Sequence, residues 1–160
     1  MQVRPADAGE IDHLARLWHD VWHESHAPLA PPELVRLRTL SSFRDRLAVV
    51  LPNACVVGPA GAPLGFCAIK GDELYQLFVS PEAHGSGVAM ALITDAEARL
   101  AARGVDLAWL ACAVGNNRAA RFYEKSGWSL AGTFVMLSET SNGPFPVEHW
   151  RFEKRLTHST

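Results

Sequence analysis

A glycine-containing loop carries the clearest chemical signal in this sequence. The strand-like run Glu73–Val79 leads into residues 84–89, HGSGVA, and apolar residues at i+4 spacing then follow as a helix. Backbone N–H groups at a helix start have no partner within the helix and lie at the positive end of its dipole. Gly85 and Gly87 permit positive φ and leave room for close approach of an anion. The loop predicts a phosphate cradle, with an ordinary turn before a helix as the alternative.

Two familiar phosphate-binding loops do not fit these residues. A Walker A loop needs Lys and then Ser or Thr after its last glycine, whereas Val88 and Ala89 follow Gly87. A dinucleotide fingerprint that starts at Gly85 needs Gly or Ala where Met90 stands, and the preceding elements do not alternate as βαβ. The sequence therefore argues against both ATP hydrolysis and NAD binding.

A second segment, residues 116–128 (NNRAARFYEKSGW), combines a helix cap, a short helix and a stop signal. Asn116 or Asn117 can accept hydrogen bonds from the free N–H groups of a first helical turn, and Gly127 suits the end of the helix. The continuous apolar run from residue 107 to residue 114 precedes this segment and is typical of a strand covered on both faces. The pattern predicts a short helix directly after a buried strand.

The two segments together resemble motifs of the GNAT N-acetyltransferase superfamily. Residues 77–93, LFVSPEAHGSGVAMALI, resemble the family's acyl-CoA pyrophosphate motif, Q/R-x-x-G-x-G/A, with His84, Gly87 and Ala89 at the three marked positions. Residues 116–128 resemble the later signature N-x-x-A-x-x-x-Y-x-K-x-G-F/W, in the right order. The resemblance covers most of the chain. It departs from the family at His84, where Gln or Arg is usual, so we expect CoA binding that is weakened but not lost.

The resemblance implies an acetyl-CoA-dependent N-acetyltransferase in which an acceptor amine attacks the thioester directly. Acetyl-CoA is the donor substrate, no metal is required, and the acceptor is a small-molecule amine or an amine of a peptide or protein. The implied cofactor-binding residues are Leu77, Phe78 and Val79 for the pantetheine arm and thioester carbonyl, His84, Gly85, Ser86, Gly87, Val88 and Ala89 for the diphosphate, and Asn116 for the pantetheine arm. A non-catalytic module that senses acyl-CoA is the rival hypothesis.

The resemblance also assigns catalytic roles to two side chains. Tyr123 matches the position whose hydroxyl reaches the thioester sulfur. Proton transfer from a phenol with a pKa of ~10 to the thiolate of a thiol with a pKa of ~8.5 is unfavourable. We therefore expect the Tyr123 hydroxyl to hydrogen-bond the developing negative charge instead. Glu73 matches the glutamate of histone-type members and would accept the amine proton, unless a water chain does so. The structural alternatives are a tyrosine packed beside Phe122 and Trp128, and a solvated glutamate at a strand start.

The elements that must position these residues follow the order β-α-α-β-β-β-α-β-α-β-β. We predict an α/β (α+β) fold with a mixed, mostly antiparallel central sheet of six to seven strands flanked by about four helices. The second helix is predicted to run from Pro31 and Pro32 through Leu47, and a strand is predicted over residues 48–57. Strict alternation in the strand 73–79 predicts residues 73, 75, 77 and 79 on one face.

Size and charge narrow the classes of function. With 160 residues we expect a single N-acetyltransferase domain over residues 1–160, and a net charge of −2 disfavours nucleic acid as a partner. Charged residues interrupt the N-terminal segment, and no apolar stretch reaches the ~18 residues of a membrane span, so we expect neither a signal peptide nor a membrane partner. The wide spacing of the three cysteines favours reduced thiols, so we expect a cytoplasmic protein. The family resemblance also suggests a homodimer.

Three histidines lie on one face of the first predicted helix. His19, His23 and His26 are spaced i, i+4 and i+7, which could present three imidazoles to zinc, but no HExxH order is present. We therefore expect no metal and interpret this face as a wall of the acceptor site. Cys112 lies in an apolar strand without a polar partner nearby in the sequence, which disfavours an acetyl-cysteine route.

Overall fold

The computed structural model describes residues 1–157 and contains one seven-stranded sheet with strand order β1-β2-β3-β4-β5-β7-β6. The strands are β1 (Val3–Pro5), β2 (Ala54–Val57), β3 (Gly65–Lys70), β4 (Glu73–Val79), β5 (Leu107–Ala113), β6 (Ser129–Ser138) and β7 (Phe145–Arg155). All neighbouring pairs are antiparallel except β4 and β5. The predicted mixed, mostly antiparallel sheet is confirmed.

Five α-helices accompany this sheet within residues 1–157. They are α1 (Ile11–Ser25), α2 (Pro32–Leu37), α3 (Leu40–Val50), α4 (Val88–Ala102) and α5 (Asn117–Lys125). In this part of the chain no helix has both the length and the apolar composition needed to cross a bilayer. The number of helices exceeds the expected four because the second predicted helix is two helices.

The break between α2 and α3 corrects the prediction of one continuous helix. Arg38 leaves the helical region at φ −88° and ψ 63°, and the Thr39 hydroxyl then caps α3 by accepting the Ser42 N–H at 3.2 Å. The freed Arg38 carbonyl accepts a hydrogen bond from His23 Nε2 at 2.7 Å. Helix α3 also continues to Val50, so the strand predicted from residue 48 begins only at Ala54.

Two hydrophobic cores cover the two faces of the sheet. On one face, Trp18 of α1 is fully buried, and its ring lies 5.2 Å from Phe43, 5.5 Å from Phe66 and 5.7 Å from Phe78 between ring centroids. On the other face, the buried apolar side chains of α4, such as Leu92, pack against the sheet. Burial of large aromatic side chains stabilises this packing and fixes α1 over β3 and β4.

A β-bulge in β4 overturns the predicted strict alternation. Gln76 pairs with Ala68 and Leu74 pairs with Ile69, so Tyr75 has no register partner on β3. Leu74, Leu77 and Val79 consequently belong to the core on the α4 side, whereas Tyr75 and Phe78 belong to the core on the α1 side. An inserted residue moves the side chains that follow it to the opposite face of the sheet. Strict alternation along the sequence does not predict this change.

The two parallel strands separate soon after they meet. Glu73 and Trp109 form the register pair between β4 and β5, and the Trp109 N–H donates to the Asp72 carbonyl at 3.2 Å. Beyond this point the strands diverge, which leaves an opening beside the second half of β4. The expectation that β5 is covered on both faces was wrong, because Ala108, Leu110 and Cys112 are buried whereas alternate residues of β5 are only half-buried.

Candidate active site

A cavity of about 790 Å³ opens where β4 and β5 diverge. The end of α1, the 81–89 loop and the start of α5 form its other walls. The predicted cofactor residues that line it are Leu77, Phe78, Val79, His84, Gly85, Gly87, Val88, Ala89 and Asn116. Ser86 does not line it, and its hydroxyl instead donates to the Ala83 carbonyl within the loop.

The glycine loop presents free backbone donors to this cavity. Gly85 has φ +78° and Gly87 has φ +91°, and α4 begins directly afterwards at Val88. Within residues 1–157 no backbone carbonyl accepts the N–H groups of Gly87, Val88 or Ala89. Unpaired N–H groups at the start of a fifteen-residue helix form a site suited to an anion such as a diphosphate.

Tyr123 of α5 reaches the same cavity. Its ring centroid lies 5.6 Å from that of Phe122 and 5.9 Å from that of Phe152, so packing fixes the ring while the side chain remains half-buried. Burial raises the pKa of Tyr123, and the Cys112 thiol adds to the effect. No group in the described chain hydrogen-bonds its hydroxyl. The hydroxyl is therefore a protonated, unengaged donor.

Asn116 caps the helix that carries Tyr123. Its side-chain oxygen accepts the Ala119 N–H at 3.4 Å, which confirms Asn116 rather than Asn117 as the cap of α5. The cap sets the direction in which α5 leaves β5 and so places Tyr123 on the cavity wall. Asn116 itself also lines the cavity.

Glu73 lies in a second, smaller pocket of about 150 Å³ on the α1 side of the sheet. The structure therefore does not bring Glu73 and Tyr123 into one cavity. Four residues along β4, at ~3.3 Å each, separate Glu73 from Leu77 by about 13 Å. Glu73 is 7% exposed as a residue, and burial raises the pKa of its carboxyl group to about 7, while nearby Lys70 opposes the shift.

The two pockets share His26 and Phe78 in their walls. The Ser25 hydroxyl donates to the Val21 carbonyl at 2.8 Å, so the 2.6 Å contact between Ser25 Oγ and His26 Nδ1 requires the imidazole to donate. This tautomer leaves His26 Nε2 as an acceptor. Burial lowers the pKa of His26 to about 4, and the charges of His149 and Arg38 add to the effect, so the ring is neutral at pH 7.

Comparison with known proteins identifies the family to which this site belongs. The model of the acetyltransferase (GNAT) family matches residues 12–128. The chain belongs to the GNAT family. An uncharacterized N-acetyltransferase of Mycobacterium bovis is 35% identical to this GNAT chain over 121 residues, 66% of this chain and 78% of the relative. Uncharacterized N-acetyltransferases of two Mycobacterium tuberculosis strains match to the same extent. These relatives and the family match make the GNAT chain an N-acetyltransferase.

Solved GNAT structures share its fold. A GCN5-related N-acetyltransferase of Rhodopseudomonas palustris superposes with a TM-score of 0.76 at 20% identity, over 97% of this chain and 95% of that one. The PaiA N-acetyltransferase of Thermoplasma acidophilum, solved in complex with coenzyme A, superposes with a TM-score of 0.70 at 16% identity, over 96% and 98% of the two chains. The expected superfamily and fold are confirmed.

Arg118 is a feature of this GNAT chain's cavity that the sequence analysis missed. It lines the cavity two residues after the Asn116 cap, and its guanidinium contacts His84 of the glycine loop. The sequence does contain this signal, because Arg118 is a cation within the second motif. Its importance becomes evident once the two motifs are placed at one cavity.

In the GNAT chain, His19 and His23 of α1 and His26 directly after it contact different groups. His23 donates to the Arg38 carbonyl, His19 contacts Asp20, and His26 stacks on Trp22 with 5.9 Å between ring centroids. Among residues 1–157 no three His, Cys, Asp or Glu side chains are grouped closely enough to hold a metal ion. Burial raises the pKa of Cys112 to about 12, which keeps it a thiol rather than a nucleophilic thiolate.

Proposed function

We propose that this GNAT enzyme transfers an acetyl group from acetyl-CoA to a small acceptor amine by direct attack on the thioester. The observation that carries the proposal is the meeting of two pockets at His26 and Phe78. One pocket is large and apolar and is lined by residues with unpaired N–H groups, and the other is small and polar. A donor with a diphosphate fits the first, and an amine that attacks across the junction fits the second.

The donor is held by backbone groups in this proposal. The N–H groups of residues 87–89 bind the diphosphate, and the edge of β4 over Leu77–Val79, which β5 leaves free, hydrogen-bonds the pantetheine arm and polarises the thioester carbonyl. The coenzyme A held by the T. acidophilum relative of the same fold supports this choice of donor.

Transfer requires one bond to form and one to break. The nitrogen lone pair of the neutral amine attacks the carbonyl carbon, and the C–S bond then breaks with its electrons on sulfur. Tyr123 hydrogen-bonds this developing thiolate. The amine proton leaves through the polar pocket, where Glu73 accepts it through water because the carboxylate lies too far along β4 for direct contact.

Thiol release tests the proposal. Free coenzyme A is measured with a thiol reagent while acetyl-CoA is offered with a panel of small amines, and turnover that depends on both substrates is the expected result. A protein that binds coenzyme A tightly but turns over no amine in the panel would instead be the acyl-CoA-sensing module. Calorimetric titration with coenzyme A provides the binding measurement that separates these outcomes.

A further inference from the structure

The smaller pocket collects buried polar atoms that have no partner. Within residues 1–157, five buried side-chain nitrogen or oxygen atoms lack a hydrogen bond, and four of them belong to residues that line this pocket. They are Trp18 Nε1, Arg38 Nε, Arg46 Nε and Glu73 Oε2. Each such atom costs about 1–3 kcal/mol when it stays unpaired. Their concentration in one pocket indicates that a bound molecule pairs them.

Two of the donors among these atoms, Arg38 Nε and Arg46 Nε, belong to guanidinium groups. Arg38 is 3% exposed, and its Nη1 donates to the neutral carbonyl of Glu139 at 2.6 Å. Arg46 lies 4.4 Å above the Trp18 ring and donates to the Tyr75 hydroxyl at 3.4 Å. In the described chain neither guanidinium has a carboxylate within the 4.0 Å of an ion pair.

An anion is the missing partner of these arginines. Burial lowers the pKa of Arg38 to about 10, with Arg46 adding to the effect and Glu139 opposing it, so Arg38 remains protonated at neutral pH. Buried charges are normally paired, and a guanidinium edge matches the two oxygens of a carboxylate. Two acceptors of the pocket suit the N–H groups of an amine. His26 Nε2 lies at the junction of the two pockets, and Glu73 Oε2 is reached through water.

We propose that the acceptor is a small amine that carries a carboxylate, of the α-amino acid class, with its carboxylate held by Arg38 and Arg46 and its amino group directed to the junction at His26 and Phe78. This inference rests on the proposed acetyl transfer. A volume of about 150 Å³ requires a small acceptor. Polycationic amines would add positive charge beside two guanidiniums that have no carboxylate within ion-pair distance in the described chain, so they fit the pocket poorly.

Matched substrates test this inference with the 160-residue chain. Initial rates are measured for alanine, valine and leucine, for the three amines that lack the carboxylate, and for the three amino acid amides. We expect kcat/KM to fall at least about 100-fold when the carboxylate is removed or neutralised, which corresponds to about 2.7 kcal/mol. Equal rates for the acids and their decarboxylated amines would overturn the inference.

Substitutions locate the carboxylate. Arg38→Gln and Arg46→Gln should each raise KM for amino acids about 10-fold or more and reduce the preference over decarboxylated amines, with the Kd for coenzyme A unchanged. Arg46 is half-buried and provides the test if the Arg38 variant does not fold. Arg44→Gln on the same helix is the control. Arg44 is exposed, and its only ionic partner in the described chain is Asp12.

The pattern of results separates this inference from the function on which it depends. Turnover of amines irrespective of their carboxylate leaves acetyl transfer standing and overturns the amino acid class. Binding of coenzyme A without turnover of any amine overturns both. A preference for the carboxylate that Arg46→Gln leaves intact shows that other residues hold it and overturns the assigned site.

Discussion

Arg118 Nη2 lies 2.7 Å from His84 Nδ1 and links the start of α5 to the glycine loop at the cavity. Arginine has no acceptor, so His84 Nδ1 accepts this hydrogen bond. His84 stands at the position where the GNAT motif has Gln or Arg. The guanidinium of Arg118 on α5 therefore brings a positive charge to the glycine loop beside His84.

We expect Arg118→Ala to weaken coenzyme A binding about 10-fold and His84→Ala to weaken it less, because only Arg118 brings a full charge to the diphosphate. Calorimetry at two salt concentrations measures this, and the salt dependence should be smaller in the Arg118 variant. Arg121→Ala on the exposed face of the same helix is the control. Equal losses for Arg118 and Arg121 would contradict the assignment.

Tyr123→Phe should lower kcat about 100-fold, because it removes a hydrogen bond that strengthens as charge develops on sulfur. The Kd for coenzyme A should change less than about 3-fold, since the ring still packs against Phe122 and Phe152. Steady-state kinetics and calorimetry on the same preparation provide both numbers. A fall in affinity without a fall in kcat would show that Tyr123 is a packing residue.

Glu73 should impose a pH dependence on turnover. The carboxylate is protonated below its pKa of about 7, so kcat/KM for the acceptor should rise as the pH increases through that value. Glu73→Gln should remove this limb and reduce the rate at pH 8. A rate profile that is identical in both proteins would exclude Glu73 as the base and leave water or His26 as the proton acceptor.

The same substitution should stabilise the fold at alkaline pH. The folded protein keeps the Glu73 proton to about pH 7, whereas a glutamate in the unfolded chain loses it near pH 4.5. The free energy of unfolding therefore falls as the pH rises between these values, by up to about 3 kcal/mol. Glu73→Gln should remove this loss, so its stability relative to the wild type is greatest at pH 8. Urea unfolding at pH 5 and pH 8 measures the difference.

Gly85→Ala should impair donor binding beyond its cost in stability. Gly85 has φ +78° and an added Cβ would meet no atom within 4 Å, so strain alone costs about 1 kcal/mol of stability. In the proposed donor site the added methyl group would lie beside the diphosphate and weaken coenzyme A binding. Gly104→Ala is the matched control, with φ +84° and equally open space beyond the other end of α4. It should lose similar stability and keep full affinity.

Glu10 should dominate the acid sensitivity of the N-terminal region. Its carboxylate is buried and accepts from Arg4 Nη1 and Nη2 at 3.0 and 2.8 Å and from two backbone N–H groups. These bonds lower its pKa to about 2, so its contribution to stability, about 1–3 kcal/mol, is complete above pH 4.5 and is lost as the pH falls towards 2.

The exposed pair of Asp12 and Arg44, 3.2 Å apart, provides the comparison for Glu10. Glu10→Gln should lower the midpoint of urea unfolding at pH 7 and flatten its acid dependence. Asp12→Asn should change the unfolding free energy by less than about 0.5 kcal/mol, because water screens the pair. Equal effects of the two substitutions would contradict the special role of Glu10.

The sequence by itself determined the parts of this protein that depend on local interactions. Strand β4 begins and ends where it was predicted, a cap at Asn116 or Asn117 follows from their own side chains, and the glycine loop needs only glycine's tolerance of positive φ before a helix. Each of these signals lies within a few residues of the structure it specifies, and the two motifs were enough to indicate the family.

Only the tertiary structure decided the contents of the smaller pocket. The break at Arg38, the bulge at Tyr75 and the meeting of the two pockets at His26 depend on groups far apart in the chain. Arg38 donates to the carbonyl of Glu139, a hundred and one residues away, and no local pattern predicts that contact. Long-range packing determines which charges are buried without partners, and those charges distinguish one acceptor from another.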